Sequence, residues 1–162
     1  MRLRRRARPP VAVGPGESLL AWAEADDGRV IAGTRDAVYL DGVRLPWEDV
    51  EAADWDRDTD QFRLSEVGTW GEPRGKHVHT IAEPGRLLEL VRERVTASVV
   101  LQRHVPVTAR RGLRVIARRA PRGDGEVRWL YEYDEGIDPD DPDVRDIAEA
   151  TLREARAEVG LD

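Results

Sequence analysis

Apolar and polar residues alternate along the first part of the chain in the manner of β-strands. Two such runs, residues 18–25 and 29–40, are joined by Asp26-Asp27-Gly28, and the second ends in Asp41-Gly42. An Asp-Gly dipeptide suits a two-residue hairpin turn, which needs positive φ at its central positions. The pattern therefore predicts short antiparallel strands connected by tight turns.

The β pattern continues to residue 81. An alternating run covers residues 61–67, and a final strand is predicted at 77–81, after a loop rich in Gly and Pro. We predict a strongly curved antiparallel sheet over residues 17–82. Three tryptophans are predicted to be mostly buried in it, namely Trp22, Trp47 and Trp55.

Helical spacing replaces strand spacing in the middle of the chain. Pro84 lies where a first helical turn tolerates proline, and apolar residues then recur every three or four positions through residues 86–102. We predict that residues 85–102 form the longest helix and cover one end of the sheet. Its apolar stripe consists of Leu87, Val91, Val95 and Val99.

The last third of the chain predicts a β-hairpin followed by a helix. Residues 113–120 and 126–134 have strand character and flank a loop of Pro, Gly and Asp. A helix is predicted from Pro142 to Val159, because Asp141 can cap its start and Gly160 can end it. The fold class is therefore α+β.

One stretch carries a family resemblance. Leu45-Pro46-Trp47-Glu48-Asp49-Val50 follows a turn and a strand that contains Thr34-Arg35. This order resembles bacterial pleckstrin-homology-like domains of the PH/GRAM type, over residues 17–103. The resemblance implies a small β-barrel capped by a helix, and an adaptor more often than a catalyst.

Three segments follow from these patterns. Residues 1–16 are predicted to be a flexible basic arm, residues 17–103 the PH-like barrel with its capping helix, and residues 104–162 a ββα extension. The extension either packs on the barrel or forms a partner surface of its own.

Composition narrows the function classes. The 162 residues include no cysteine, which excludes disulfides, thiolate catalysis and cysteine-bound metal. No apolar run approaches the roughly 18 residues that a membrane span needs, and the basic N-terminus continues into Pro9-Pro10 rather than the apolar core of a signal peptide. A cytoplasmic protein without an integral membrane segment is predicted.

Charge is segregated along the chain. The net charge is −6, yet residues 1–16 carry five Arg and no acid, and residues 110–131 carry seven Arg against two acids. Residues 17–66 and 132–162 are each strongly acidic. Lys76 is the only lysine, and such a preference for Arg indicates a genome of high GC content, as in actinobacteria. The acidic total argues against bulk nucleic-acid binding.

Clusters of metal-ligating residue types are better explained by structure. Asp54, Asp56, Asp58 and Asp60 begin like an EF-hand loop, but the positions that need Gly and Glu hold other residues in both registers. Acids from 134 to 143 suit a helix N-terminus. His77 and His79 share a strand face and lack an obvious third zinc ligand, so a solvent-facing strand is expected. No metal or other cofactor is predicted.

Two surfaces are candidates for partner binding. Trp70 lies in a Gly-rich loop, where it either folds back over the sheet or anchors a partner. Val127, Trp129, Tyr131 and Tyr133 share a strand face beside an Arg-rich segment. They form either a core or a stacking platform for single-stranded nucleic acid. The predicted partner-binding residues are Trp70, Arg110, Arg111, Arg114 and Arg118.

The sequence favours a non-catalytic interaction module that binds a protein partner or itself. No Gly-x-Ser-x-Gly elbow, phosphate-binding loop or dinucleotide fingerprint occurs. The alternative is an anion-binding module for nucleic acid or acidic phospholipid headgroups. It would use the segment Arg110–Arg122 and the basic arm, whose arginines are Arg2, Arg4, Arg5, Arg6 and Arg8.

Overall fold

The computed structural model describes residues 11–68, 75–122 and 125–160. The chain divides into two compact units. Unit 1 comprises residues 1–97 with 120–122, and unit 2 comprises residues 98–119 with 123–162. Both contain antiparallel sheets and one α-helix in their described parts, so the α+β prediction is confirmed.

Unit 1 begins with a four-stranded antiparallel sheet whose strands follow sequence order. The turns form because Gly28 and the Asp41-Gly42 pair adopt positive φ, 85° at Gly28, 52° at Asp41 and 86° at Gly42. The predicted hairpins are thereby confirmed. The strands are β1 (Ala21–Glu24), β2 (Val30–Gly33), β3 (Ala37–Leu40) and β4 (Val43–Pro46).

A single 3₁₀ turn at Trp47–Asp49 leads from β4 into a second, three-stranded sheet. This sheet is also a meander in sequence order, and a helix follows it. Its strands are β5 (Val50–Asp56), β6 (Gln61–Glu66) and β7 (Lys76–Thr80), and the helix is α1 (Leu87–Ala97).

Trp47 lies at the centre of the core of unit 1. It is fully buried, and its indole Nε1 donates a hydrogen bond of 2.9 Å to the carbonyl oxygen of Thr34. Residues from both sheets and from α1 belong to this core, among them Ile31, Phe62 and Leu87. The predicted burial is complete for Trp47, whereas Trp22 and Trp55 are half-buried.

The predicted barrel is not formed. Within the described residues the chain makes three separate sheets, and none of them closes on itself. The physical reason is the corner at Trp47–Asp49, after which β5 pairs with β6 and leaves β4 at the edge of the first sheet. Unit 1 therefore keeps open strand edges.

The predicted long helix is also wrong in its extent. Helix α1 ends at Ala97 and has 11 residues, against 17 in the C-terminal helix. Val99 begins a strand, β8 (Val99–Pro106), because the β-branched pair Val99-Val100 favours extended backbone. Of the predicted stripe, Leu87 and Val91 are buried in the core of unit 1.

Unit 2 is one antiparallel sheet with one helix on it. The strands run in the order β10-β9-β8, where β9 is Gly112–Arg118 and β10 is Arg128–Tyr133. The predicted hairpin is therefore confirmed, with β8 as an additional strand. Helix α2 (Pro142–Glu158) begins as predicted, because the Asp141 carboxylate accepts the backbone N–H of Asp143 at 2.8 Å.

The core of unit 2 lies between α2 and one face of its sheet. It consists of Leu113, Val115, Val144, Ala148 and Ala155, with half-buried residues such as Trp129 and Tyr133 around it. Neither this helix nor α1 is long and apolar enough to cross a membrane.

Candidate functional site

The predicted arginine site is dispersed. Arg110 is exposed, whereas Arg111 donates from Nη1 to the carbonyl oxygen of Glu135 at 2.7 Å. Arg114 lies 3.7 Å from Glu132, and Arg118 is 4% exposed and donates to Ser98 Oγ at 3.3 Å. Trp70 and the arginines of the basic arm lie outside the described residues. Most of the predicted arginines therefore have partners within the protein.

The aromatic stripe and these arginines lie on opposite faces of the sheet in unit 2. In the β9–β10 register Trp129 pairs with Ala117, and Tyr133 pairs with Leu113, on the face that packs against α2. Arg114 and Arg118 alternate with those β9 residues, so their side chains leave from the other face. The described residues thus provide a core stripe rather than a basic aromatic platform.

Tyr131 is the most exposed member of this stripe. It is 37% exposed, and its ring centroid lies 6.2 Å from that of Tyr133. Partial burial raises the pKa of both phenols, and for Tyr131 the negative charge of Glu149 on α2 adds to the shift. The prediction that Trp129 and Tyr131 face the interior is therefore met for Trp129 and only partly for Tyr131.

A concave surface of unit 1 lies between α1 and the second sheet. We call it the α1 groove, and it has a volume of about 290 Å³. Trp55 and Phe62 form its floor on the sheet side, and Leu88, Val91 and Val95 line it from the helix. The remaining lining residues are Ala52, Ala53, Asp54, Arg92 and Thr96.

The α1 groove combines apolar walls with a charged rim. Asp54 lies 3.8 Å from Arg63, and both side chains are about half exposed or more. Arg92 is exposed, with no ion pair among the described residues. The Trp55 indole donates to the carbonyl oxygen of Ile81 at 3.3 Å, which fixes the ring in place. Such a surface can hold apolar side chains and orient them by charge.

A buried carboxylate, which the sequence analysis did not single out, organises the start of unit 1. Glu17 accepts hydrogen bonds from Thr34 Oγ1 at 2.6 Å, Tyr39 OH at 2.8 Å and Arg44 Nε at 3.1 Å, and its side chain is 5% exposed. Burial acts to raise the pKa of Glu17, but these three donors together lower it. We call this cluster the Glu17 hub.

The Glu17 hub fastens the segment before β1 to the first sheet. The Tyr39 hydroxyl also accepts the backbone N–H of Gly14 at 2.8 Å, and Thr34 Oγ1 accepts the N–H groups of Asp36 and Ala37. Burial and the neighbouring Glu17 raise the pKa of Tyr39. The carboxylate of Glu17 and the hydroxyls of Thr34 and Tyr39 are thus hydrogen-bonded within the protein, which indicates a structural role.

A second concave surface of unit 1, the β7 cleft, contains both histidines of β7. It measures about 500 Å³ and is lined by Arg29, Leu40, Asp41, Val43, Lys76, His77, Val78 and His79. His79 is 7% exposed, so the expected solvent-facing position is wrong for it. Burial lowers the pKa of His79, more than the nearby carboxylate of Asp27 raises it.

The two histidines do not assemble a metal site in the described part of the chain. His77 Nε2 lies 3.0 Å from Glu66 Oε2, and no three His, Asp or Glu side chains there are grouped to hold an ion. Their strand positions alternate with those of Lys76 and Val78, which are exposed. The histidines therefore face the protein, and the lysine and valine face outward.

Comparison of the chain with protein-family models, curated proteins and solved structures finds no match. The PH/GRAM resemblance accordingly stays a prediction from the sequence.

Proposed function

We propose that this chain is a non-catalytic interaction module, and that its α1 groove receives apolar side chains from an amphipathic segment of a protein partner. The observation that carries the proposal is the groove itself, in which the half-buried Trp55 lies between a helix and a sheet, above the buried Phe62. Aromatic side chains in concave surfaces are frequent anchors of protein interfaces.

The order of elements in unit 1 supports a PH-like module. A four-stranded meander, a three-stranded meander and a helix follow one another along the chain. The resemblance implies strands that are followed by a capping helix, and unit 1 has that order, although its sheets are open. In the proposed module α1 serves two purposes, since Leu87 and Val91 contribute to the core while Leu88 and Arg92 border the groove.

The chemistry of the groove supports a binding role rather than catalysis. Its polar side chains are Asp54, Arg92 and Thr96, and none of the three lies in a hydrogen-bonded pair with a histidine. A histidine is the commonest base that activates a catalytic nucleophile or moves a proton. Arg92 is instead placed to attract an acidic residue that flanks the apolar anchor of the partner.

The anion-binding alternative has weaker support. Four arginines of the segment Arg110–Arg122 engage acceptors of the chain: Arg111 with Glu135, Arg114 with Glu132, Arg118 with Ser98, and Arg122 with Asp36 at 2.6 Å. Phosphate binding needs guanidinium groups that are available to the ligand. We therefore place this function second.

A pair of alanine variants tests the proposal. Ala52 is exposed inside the groove and Ala82 is exposed outside it, so Ala52→Lys fills the groove and Ala82→Lys is the matched control. Affinity purification from the organism that encodes the chain, with nuclease present, should recover a partner with wild type and A82K. Recovery should fall at least tenfold with A52K.

Three results would contradict the proposal. Equal recovery with A52K would place the interface elsewhere. Loss of the partner on nuclease treatment, or a steep decline between 50 and 200 mM salt, would favour the anion-binding alternative.

A further inference from the structure

The edge of β7 that faces away from β6 has unpaired backbone groups within the described residues, at positions 76 and 78. Glu66 donates its N–H to the carbonyl of Gly75 at 2.8 Å, and Ile81 donates to the carbonyl of Asp60 at 2.8 Å. Residues of an antiparallel strand bond to the same neighbour at every second position. His77 and His79 therefore bond to β6, and the backbone groups of residues 76, 78 and 80 point away from the sheet.

One end of this edge is already covered. The carbonyl of Thr80 accepts the N–H of Asp26 in the β1–β2 turn at 2.9 Å. Lys76 and Val78, in contrast, have no backbone partner among the residues that the structure describes. Within the described ranges, four backbone groups at the edge of the β7 cleft, two N–H and two C=O, thus have no partner.

The side chains of the same two residues are exposed as well. Val78 is 55% exposed and shares the cleft with Val43, which is 68% exposed. Lys76 is exposed and has no ion pair within the described ranges. An open strand edge beside exposed valines is a recognised template for another strand, because pairing there breaks no hydrogen bond within the protein.

We propose that the edge formed by residues 76–78 accepts an extended segment of a partner protein. In this segment an acidic and an apolar residue are two positions apart. Residues directly opposite each other across antiparallel strands form side-chain pairs. The apolar residue would pack against Val78 and the acidic residue would pair with Lys76, and a spacing of two places both on the same face. This site is separate from the α1 groove.

The observations favour a peptide over an anionic membrane surface. A lipid headgroup has no backbone to use the outward N–H and C=O groups, which a peptide strand satisfies. The cleft also includes Asp41, and Arg29 lies 3.5 Å from Asp27, so the cations there are partly balanced by acids. The surface is therefore expected to select an extended peptide backbone, and Lys76 is its cation without an ion pair in the described part of the chain.

An NMR titration of the full chain with synthetic peptides tests this inference. The probe is a terminally blocked nonapeptide of threonines that carries glutamate and valine alternately at every second position. Its control replaces each glutamate by lysine. We expect the glutamate peptide to shift the backbone amide resonances of residues 76–80, and the lysine peptide to bind at least fivefold more weakly.

Two variants of one residue separate backbone pairing from side-chain packing. Val78→Pro removes an outward N–H and leaves the bonds to β6 intact, because proline is tolerated on strand edges. This variant should weaken binding of the glutamate peptide at least tenfold. Val78→Thr keeps the N–H and the β-branched shape, and should bind within about threefold of wild type.

Several outcomes would overturn the inference. One is that the amide resonances of residues 76–80 do not shift at millimolar peptide. The others are that the two peptides bind equally well, or that V78P binds the glutamate peptide as tightly as wild type does. Shifts caused by anionic phospholipid vesicles and not by peptide would assign the edge to a membrane surface. Shifts that depend on protein concentration alone would assign it to a second copy of the chain. A52K should bind the glutamate peptide like wild type, so a failure here is distinct from a failure at the α1 groove.

Discussion

The two units are stabilised in different ways. In unit 1 two sheets and α1 share one core around Trp47, which also contains large residues such as Phe62 and Ile81. The core cluster of unit 2 contains five buried residues in the described part of the chain, and two of these are alanines, Ala148 and Ala155. Hydrophobic stabilisation grows with the apolar area removed from water. The core of unit 1 should therefore contribute more to the free energy of unfolding than the core of unit 2.

The polar interactions of unit 1 are buried, whereas those between the helix and the sheet of unit 2 lie at the surface. In the Glu17 hub, unit 1 buries a carboxylate that accepts hydrogen bonds from three of its own side chains. Unit 2 holds α2 against β8 with surface charges, since Arg103 pairs with Glu158 and lies 3.5 Å from Glu154. Surface pairs contribute little and are screened by salt. The ion pairs between α2 and β8 are therefore expected to stabilise unit 2 less than the buried Glu17 hub stabilises unit 1.

The largest expected effect is on the core of unit 1. Trp47→Ala removes the central side chain and its bond to Thr34, which should lower the free energy of unfolding by about 3 to 5 kcal/mol. Urea denaturation followed by circular dichroism measures this loss. The exposed substitution Val43→Ala is the control and should change it by less than about 0.5 kcal/mol. A similar stability for both variants would refute the central role of Trp47.

The next largest effect tests the packing of unit 2. A Cβ at Gly112 would lie 2.1 Å from the backbone oxygen of Val105 on the paired strand, so Gly112→Ala must distort the β8–β9 ladder. We expect a loss of about 1 to 3 kcal/mol, by analogy with overpacked cores. Hydrogen exchange should show lower protection in β8 and β9, with the first sheet unaffected. An equal loss of hydrogen-exchange protection in both units would contradict the expectation that Gly112→Ala acts on unit 2 alone.

The Glu17 hub should give a similar or smaller loss, with a pH signature. Glu17→Gln weakens three bonds to a buried charge, at a cost of about 1 to 3 kcal/mol at neutral pH. Because the pKa of Glu17 is lower in the folded state, the unfolded state binds the proton first as pH falls. Stability is therefore fully present above the usual value of 4.5 and declines below it.

Measurement of Tm between pH 3 and 7 tests this linkage. Wild type should lose its advantage over E17Q as the pH falls below 4.5. A constant difference between the two proteins over that range would show that the charge of Glu17 is not what the hub stabilises.

The smallest effect belongs to His79. Burial lowers its pKa, so the unfolded state takes up the proton first, and this contribution to stability is lost as pH falls below the usual value of 6.5. His79→Leu should flatten the Tm profile between pH 5 and 7.5. The exposed Ala82→Gln adds no titratable group, so it is the control and should keep the slope of wild type. An unchanged slope in H79L would exclude His79 as its source.

Local signals predicted the parts of the fold that local physics determines. Positive φ at Asp41-Gly42 and the cap at Asp141 are properties of a few adjacent residues, and both were readable from the sequence. The end of α1 was not, because Val99 fits a helical stripe and a strand equally well until its partner β9 is known.

The candidate sites were harder to predict, since they depend on distant residues. Glu17 lies 22 positions from Tyr39 and no motif connects them. The α1 groove joins residues 52–55 to residues 88–96, which periodicity alone cannot bring together. The burial of Arg118, which is 4% exposed, was not predictable for the same reason, because it depends on the tertiary structure.

The meander order of all three sheets has a consequence for how the chain folds. Every ladder joins strands that are neighbours in sequence, so the described sheets form without long loop closures. Contacts between residues close in sequence favour rapid folding. We therefore expect each sheet to assemble during synthesis, as soon as its own strands have left the ribosome and before the helix that covers it has been translated.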